Sequence, residues 1–207
     1  SLYTAYAQPN LAAYASLQLS YAFSDFDEER RLQFGNLNQK AKGSYTGNEF
    51  STYAELGTRA FELGADIRLR PFIGVGYGYF EREGFDESGA PIGANLSVDS
   101  QSYQSLDLAA GATIDQVIDL GPRLRLRTEL RARYDHEFLD TNPKLNARIS
   151  GQPFEVAGVS VGRDIGLVGL GVEFIDAGGL STFLGYDARF NTEFVEHNAT
   201  IGILVRF

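Results

Sequence analysis

The stretch that decides the fold is RLRLRTELRARYDHEF, residues 123–138, in which two kinds of side chain alternate strictly. Every odd-numbered position carries an ionisable residue, and the even-numbered positions carry Leu124, Leu126, Thr128, Leu130, Ala132, Tyr134, His136 and Phe138. Successive side chains of a β-strand point to opposite faces, so the stretch predicts a strand with one charged face and one largely apolar face. The strand alone leaves open whether its charged face is the surface of a soluble sheet or the wall of a water-filled interior.

The same period of two recurs along the chain, with turn residues between the repeats, and it predicts about ten antiparallel strands. The predicted strands are 1–8, 11–24, 29–45, 50–62, 65–82, 102–115, 122–138, 164–176, 180–191 and 197–207. Most of them are longer than the ~5–6 residues of a typical soluble strand and long enough for a tilted membrane-spanning strand of ~9–11 residues.

Aromatic residues lie toward the ends of the apolar faces, as in the aromatic girdles of membrane barrels. They are Tyr21, Phe23, Tyr77, Tyr79, Tyr134, Phe138, Phe174 and Phe207. A sheet in lipid must pair all its backbone groups, which requires closure into a barrel. The sequence therefore predicts one all-β domain over residues 1–207, an up-and-down antiparallel transmembrane β-barrel. Its predicted lumen-facing residues are Glu55, Arg68, Arg70, Asp107, Arg125, Arg127, Glu129, Arg131, Arg133, Asp187 and Arg189.

Connection lengths support the barrel. Short turns at 63–66 and 176–179 alternate with long polar stretches at 82–104 and 138–163. Counted back from the C-terminus, 191–197 is then predicted to be an outer loop and 115–122 a periplasmic connection. Outer-membrane barrels have short periplasmic turns and longer outer loops, so the longer stretches are predicted to lie outside.

Composition excludes several classes of protein. The chain has no cysteine, hence no disulfide, thiolate metal site or cysteine nucleophile, and we expect no cofactor. A net charge of -9 argues against a nucleic-acid partner. The chain contains no apolar run of the ~18 residues that a membrane helix needs. The first ten residues do not form a signal peptide, so an export signal is expected outside this sequence.

The tail ATIGILVRF, residues 199–207, resembles the C-terminal assembly signal of bacterial outer-membrane barrels. The matching residues are Thr200, Gly202, Val205 and Phe207. Longer stretches resemble the translocator barrel of autotransporters, the type V secretion proteins, over nearly the whole chain. They include RRLQFGNLNQKAKGSYTGNEFSTYAELG (30–57), PFIGVGYGYFEREGFDESGA (71–90), HEFLDTNP (136–143) and FEVAGVSVGRDIGLVGLGV (154–172).

The resemblance implies a twelve-stranded barrel with an N-terminal helix in its pore, so the helix and about two front strands are expected before Ser1. It implies a non-enzymatic translocator in the Gram-negative outer membrane that anchors an N-terminal passenger and helps to export it. The implied partners are membrane lipid and lipopolysaccharide, the passenger and its linker helix, the barrel-assembly machinery that reads the last strand, and periplasmic chaperones.

Two other functions remain open. A ten-stranded outer-membrane hydrolase or protease is suggested by the Asp135–His136 pair, and by Ser160 in GVSVG with Asp187 and His197 following in hydrolase order. Against it, no helical pattern follows Ser160, and alternation places His136 on the lipid side while Asp135 faces inward. The second alternative is a soluble β-sandwich binding module.

Two shorter motifs have structural explanations. The acidic stretch DFDEE, 25–29, is predicted to be a solvated turn in preference to a calcium site. Gly74, Gly76 and Gly78 share one strand face and are predicted to make room in the lumen for large neighbours such as Phe72, or for a threaded segment.

Overall fold

A computed structural model of the chain describes residues 1–8, 13–58, 61–64, 66–91 and 93–205. The described residues contain no helix that is long and apolar enough to cross a membrane. They form the strands β1 (Leu2–Gln8), β2 (Ala13–Phe34), β3 (Leu37–Thr58), β4 (Phe61–Gly64), β5 (Ile67–Arg82), β6 (Phe85–Asp86), β7 (Leu96–Val98), β8 (Gln101–Asp119), β9 (Leu124–Glu137), β10 (Lys144–Ile149), β11 (Gln152–Ala157), β12 (Asp164–Asp176), β13 (Leu180–Phe190) and β14 (Val195–Val205).

The main sheet is a curled antiparallel meander of ten strands in the order β1-β2-β3-β5-β8-β9-β12-β13-β14, with β4 also pairing β5. Each strand pairs with the strand that precedes it in the sheet, and β1 and β14 form the two edges. The prediction of an all-β, up-and-down antiparallel sheet of the barrel type is confirmed.

The two faces of the sheet differ in polarity as the alternation predicts. Arg68, Asp115 and Glu129 lie opposite one another on β5, β8 and β9, and paired residues share a face. One position along, Ile114 and Leu130 pair on the other face, where their side chains are 39% and 47% exposed. The apolar face is thus uncovered, while the charged side chains pack against one another.

The charged face is the concave one. Arg70 on β5 contacts Glu129 on β9 at 3.5 Å, reaching over β8. Arg131 on β9 contacts Asp187 on β13 at 2.8 Å, reaching over β12. Side chains from strands that are not neighbours meet readily where a curled sheet brings them together, and diverge on its convex side. We call these surfaces the lumen face and the convex face.

Large aromatic side chains stand on the convex face. Tyr134, Phe138 and Phe174 lie near strand ends, whereas Tyr21 and Phe23 lie inside the long β2, close to the level at which the β3–β5 pairing ends. Tyr21, Phe23, Tyr134 and Phe138 are each at least half exposed, and Phe174 is 46% exposed. Tyr77 and Tyr79, which belong to the predicted girdle, are only partly exposed. Phe207, also predicted to belong to it, lies outside the described residues.

The predicted strands 11–24, 29–45 and 50–62 are wrong in their boundaries, because β2 and β3 are two long strands paired without interruption from Ala13↔Thr58 to Phe34↔Leu37. The turn between them is at residues 35–36, where Gly35 has φ +55°. The acidic stretch 25–29, predicted to be a turn, lies inside β2. Its polarity has another origin: the pairing of β3 with β5 ends at Gly47↔Arg82, so the hairpin beyond that point projects from the sheet.

A second sheet, in the order β11-β10-β7-β6, stands at the same end as the projecting hairpin. It is built from the two stretches predicted to be long polar loops, 82–104 and 138–163. A bridge between Lys42 and Ser88 joins it to β3. We call the second sheet, with its connecting residues, the cap. The end of the main sheet that carries the cap and the projecting hairpin is the cap end. The opposite, turn end carries the short connections at 120–123 and 177–179.

Candidate functional site

Toward the turn end, the lumen face is an ion-pair network centred on Asp115, which is 1% exposed. Its carboxylate pairs with Arg68 and, at 2.9 Å, with Nε of Arg70. The neighbouring Glu129 lies 3.5 Å from Arg70 and 3.4 Å from Arg131. A buried carboxylate requires such partners, and two arginines of β5 supply them to Asp115.

The network continues across the sheet through Arg131. Its guanidinium donates to Asp187 at 2.8 Å, and Arg127 lies 3.7 Å from Glu129. Gly169, between Arg131 and Asp187 in the sheet, leaves the space in which these two side chains meet. Opposite charges are therefore arranged so that this half of the lumen face largely neutralises itself.

Toward the cap end, carboxylates are held mainly by uncharged donors. Glu55 accepts hydrogen bonds from the hydroxyls of Tyr14 at 2.6 Å and Tyr53 at 3.0 Å. Glu137 accepts from the Ser105 hydroxyl at 2.5 Å and from the backbone N–H groups of residues 106 and 139. These bonds satisfy the oxygens but leave the negative charge in place.

Arg133 supplies the principal positive charge in this half. It pairs with Asp135 at 2.7 Å and lies 5.2 Å from the ring centre of Tyr53. A carboxylate and an aromatic ring thus fix the guanidinium from two directions.

All eleven residues predicted to face the lumen lie on the lumen face by strand register. Arg125, at the turn end, is exposed and lies opposite Asp119. Arg189 pairs with Glu196 at 3.1 Å. The prediction omitted Asp115, the most buried charged residue of the network, although alternation along β8 puts it on the same face as Asp107.

The glycines of β5 make room as predicted at two positions of three. A side chain at Gly74 would collide with the Tyr53 ring, and one at Gly76 with the Asp107 carboxylate. Gly78 is less crowded, because the nearest atom to its Cβ position is Cβ of Ser105 at 3.7 Å.

Phe72 does not lie against those glycines. Its ring covers Gly111 on β8, with Cζ 2.6 Å from the Cβ position of that glycine. The carbonyl oxygen of Ala132 is equally close, at 2.6 Å, so position 111 admits no side chain without a shift of the backbone.

Three of the four residues that resemble an assembly signal are described, and all lie on β14. Thr200 and Gly202 face the lumen, and the Phe183 ring of β13 lies against Gly202. Val205 lies on the convex face and is 56% exposed. Phe207 is outside the described residues.

The residues suggested for a hydrolase do not come together. Asp187 binds Arg131 on the lumen face, whereas His197 hydrogen-bonds to Tyr186 at 2.7 Å on the convex face. The Ser160 hydroxyl accepts from the backbone of residue 162, at the cap end.

The Asp135–His136 pair is likewise divided between the two faces. His136 contacts Asp164 at 2.7 Å on the convex face, while Asp135 binds Arg133 in the lumen. Within the described ranges, no group of three or more His, Cys, Asp or Glu residues could hold a metal ion.

One ion pair fastens the cap to the projecting hairpin. Arg30 donates to both oxygens of Glu87, at 3.0 and 2.5 Å, and the Glu87 side chain is fully buried. The Leu96 backbone N–H donates to the same carboxylate at 2.8 Å. The Arg30 hydrogen bonds, followed by the Leu96 bond, hold the pKa of Glu87 below its ordinary value, against the opposing effect of burial.

Stacked rings fill the space between the hairpin and the cap. The ring centres of Phe26 and Tyr45 are 5.0 Å apart, and those of Tyr45 and Phe85 are 4.8 Å apart. The Arg82 guanidinium lies 5.0 Å from the Tyr45 centre. Aromatic stacking and a cation–π contact therefore reinforce the Arg30–Glu87 pair.

A curled meander with a charged concave face, an uncovered apolar convex face and aromatic residues near its strand ends defines the wall of a membrane-spanning β-barrel. The autotransporter beta-domain family model matches residues 1–187, and the chain belongs to that family.

Curated relatives match over most of this chain. The extracellular serine protease of Serratia marcescens is 22% identical over 189 residues, which are 91% of this chain and 18% of the relative. Esterase EstA of Pseudomonas aeruginosa is 24% identical over 196 residues, 94% of this chain and 30% of the relative. The chain thus spans less than a third of either protein.

A solved structure has the same fold. The translocator domain of autotransporter NalP from Neisseria meningitidis aligns with 97% of this chain at a TM-score of 0.66 and 18% identity. The alignment covers 62% of the NalP chain.

Proposed function

We propose that the chain is a translocator that anchors an N-terminal passenger in the Gram-negative outer membrane and helps to move it to the cell surface. The observation that carries this proposal is the separation of polarity between the two faces of one sheet. Leu130, Leu170 and Leu184 on the convex face are about half exposed, and hydrocarbon is the environment that such a band requires. The lumen face offers a wet, charged path.

In this proposal the domain acts through non-covalent contacts and catalyses no reaction. A linker between passenger and barrel lies in the lumen and is held there by polar contacts to the arginines and carboxylates of the lumen face. The eleven predicted lumen residues are the proposed contacts: Glu55, Arg68, Arg70, Asp107, Arg125, Arg127, Glu129, Arg131, Arg133, Asp187 and Arg189. The cap end is proposed to face the outside, because the longer connections lie there.

Assembly is proposed to use the last strand. β14 is an edge strand, and an edge can accept a further strand from the barrel-assembly machinery. Thr200, Gly202, Val205 and Phe207 are the residues proposed to be read there. Periplasmic chaperones, and lipid with lipopolysaccharide around the convex face, complete the proposed partners.

We propose no catalytic role for this chain. The relatives named as a protease and an esterase extend far beyond it, because the matched part is 18% of the first and 30% of the second. In this chain Asp187 is separated from His197, and Asp135 from His136. This supports the view that the protease and esterase activities of the relatives belong to other parts of those proteins.

A surface-display experiment tests the proposal. The protein is expressed in a Gram-negative host with a signal peptide and an epitope-tagged passenger, and protease is added to intact cells. We expect the tag to be removed while the barrel domain stays intact and migrates differently in SDS gels before and after boiling.

Leu170→Arg, on the convex face, should abolish the heat-dependent migration and the display together, and Thr192→Arg, in an exposed turn at the cap end, should preserve both. A folded barrel whose passenger stays protected from protease would contradict the proposal.

A further inference from the structure

A cavity of about 350 Å³ opens into the lumen face at the middle of the sheet. One row of directly paired residues crosses it, from Phe72 on β5 through Gly111, Arg133, Leu167 and Arg189 to Glu196 on β14. Phe72 and Leu167 give the cavity an apolar floor, which is unusual on a face that otherwise carries mainly charged, small and hydroxyl side chains.

The polar walls of the cavity carry one more positive than negative side chain. Arg131, Arg133 and Arg189 line it together with two carboxylates, Asp187 and Glu196. Arg189 donates to Glu196 from one terminal nitrogen, and Arg133 binds Asp135 through Nε and one terminal nitrogen. A guanidinium has five N–H donors, so both arginines retain donors for a further acceptor.

The geometry of the row brings those two arginines to opposite sides of Leu167. They are separated by two strand spacings, about 10 Å between backbones, and long side chains from both sides can reach one group above Leu167. A planar carboxylate is the group that arginine binds best, through paired N–H···O bonds.

The next two rows toward the cap end make the position specific. Glu55, Asp107, Asp135 and Glu137 lie there, and the first and last of these are held by uncharged donors. A carboxylate brought to those rows would meet four other carboxylates, of which Asp135 is paired with Arg133. In the cavity it would meet three guanidinium groups and two carboxylates.

We propose that this cavity binds an acidic side chain, flanked by an apolar one, from the peptide segment that occupies the lumen. The acidic group lies between Arg133 and Arg189, and its apolar neighbour packs on Phe72 and Leu167. This inference rests on the proposed function, since it names the chemistry of the segment that the translocator holds.

The native chain has no cysteine, so a single introduced thiol reports on the cavity. Thr113 lines the cavity between Arg70 and Arg131. In outer-membrane vesicles carrying the Thr113→Cys protein, an anionic methanethiosulfonate should react faster than its trimethylammonium analogue. The ratio of the two rates should exceed that of Thr192→Cys, on the exposed turn, by at least about threefold, because a basic wall concentrates anions.

Adding Arg189→Gln to the Thr113→Cys protein should lower that ratio. The matched control Arg148→Gln, which removes an exposed arginine paired with Asp99 in the cap, should leave it unchanged. Equal ratios at the two cysteine positions would show that the cavity does not favour anions and would overturn the proposal.

A peptide competition then tests the ligand class. An amphipathic peptide with one glutamate beside leucine should protect the thiol of the Thr113→Cys protein from the reagents. The same peptide with glutamine should need roughly a tenfold higher concentration, a difference of about 1.4 kcal/mol. Equal protection by the two peptides, or none by either, would overturn the proposal. Surface display is scored separately, so it can succeed while this binding fails.

Discussion

Replacement of Asp115 by asparagine should destabilise the folded sheet strongly while keeping the size of the side chain. Asp115 is 1% exposed and pairs with Arg68 and Arg70, whose side chains are 43% and 32% exposed. Removing one partner of a buried ion pair costs about 3–5 kcal/mol, because the remaining charge loses its compensation. The two arginines are partly hydrated, which lowers the expected loss to about 2–4 kcal/mol.

Urea unfolding of the protein in phospholipid vesicles measures this loss. The chain has no tryptophan, so a single tryptophan introduced at Leu184 on the convex face gives a clean fluorescence signal. With a slope of about 1–3 kcal/mol per molar urea, the midpoint should fall by about 0.7–4 M.

Asp119→Asn is the matched control, because it removes the same charge four residues further along β8, where the side chain is exposed. Its free energy of unfolding should stay within about 0.5 kcal/mol of the parent. If Asp115→Asn were equally harmless, the network would not stabilise the sheet, and the reasoning about its buried carboxylate would be wrong.

Three further changes test other parts of the structure. Gly111→Ala should lower the free energy of unfolding by about 1–3 kcal/mol in the same titration, because backbone blocks the Cβ position of residue 111. The control Gly78→Ala should be tolerated, and equal stabilities of the two variants would contradict the described packing. Leu170→Arg, at mid-membrane, should lower the free energy of unfolding by about 2–4 kcal/mol, and Leu124→Arg, near the turn end, by about 0–1 kcal/mol. Equal losses in the two variants would argue against a membrane-spanning apolar band. The pKa of Glu87 is lowered in the folded protein, so the stability that its ion pair with Arg30 contributes is complete above the ordinary pKa of 4.5 and is lost as the pH falls through the lower folded pKa. In the Phe85→Trp protein, tryptophan fluorescence should report an acid transition that disappears when Glu87→Gln is added. Persistence of that transition in the double variant would refute the assignment.

The two faces of the sheet were predictable because strand periodicity fixes which side chains share a face. The alternation in residues 123–138 puts the arginines of β9 on one face, and by strand register the eleven lumen candidates share that face. Alternation says nothing about the distance between partners on different strands, so the central position of Asp115 emerged only with the register of β5 against β8.

The boundaries of β2 and β3 were less predictable. Acidic and polar clusters near 25–29 are typical of turns. They lie here on the solvated part of a hairpin that projects beyond its neighbouring strands, where residues 25–29 are exposed and little apolar sequence is needed. The turn itself is marked only by Gly35 and Asn36. The same solvation explains why β10 and β11 were hidden inside a stretch predicted to be a loop.

The cap was unpredictable for a different reason. Arg30 and Glu87 are separated by 57 residues, and their contact depends on the placement of β6 beside β3. A single sequence does not encode such pairings in any local pattern. The comparison with the autotransporter beta-domain family likewise identifies the sheet and leaves individual side-chain contacts to be found in the structure.

The ten residue pairs of the hairpin from Asp25↔Thr46 to Phe34↔Leu37 reach about 33 Å past the neighbouring strand. If the cap end faces outward, this arm is the part of the domain that antibodies and bacteriophages meet first. Its tip is free of the constraints that lipid and lumen impose on the rest of the chain. Residues 35–36 are therefore a natural place to graft a foreign epitope for surface display without harming the membrane anchor.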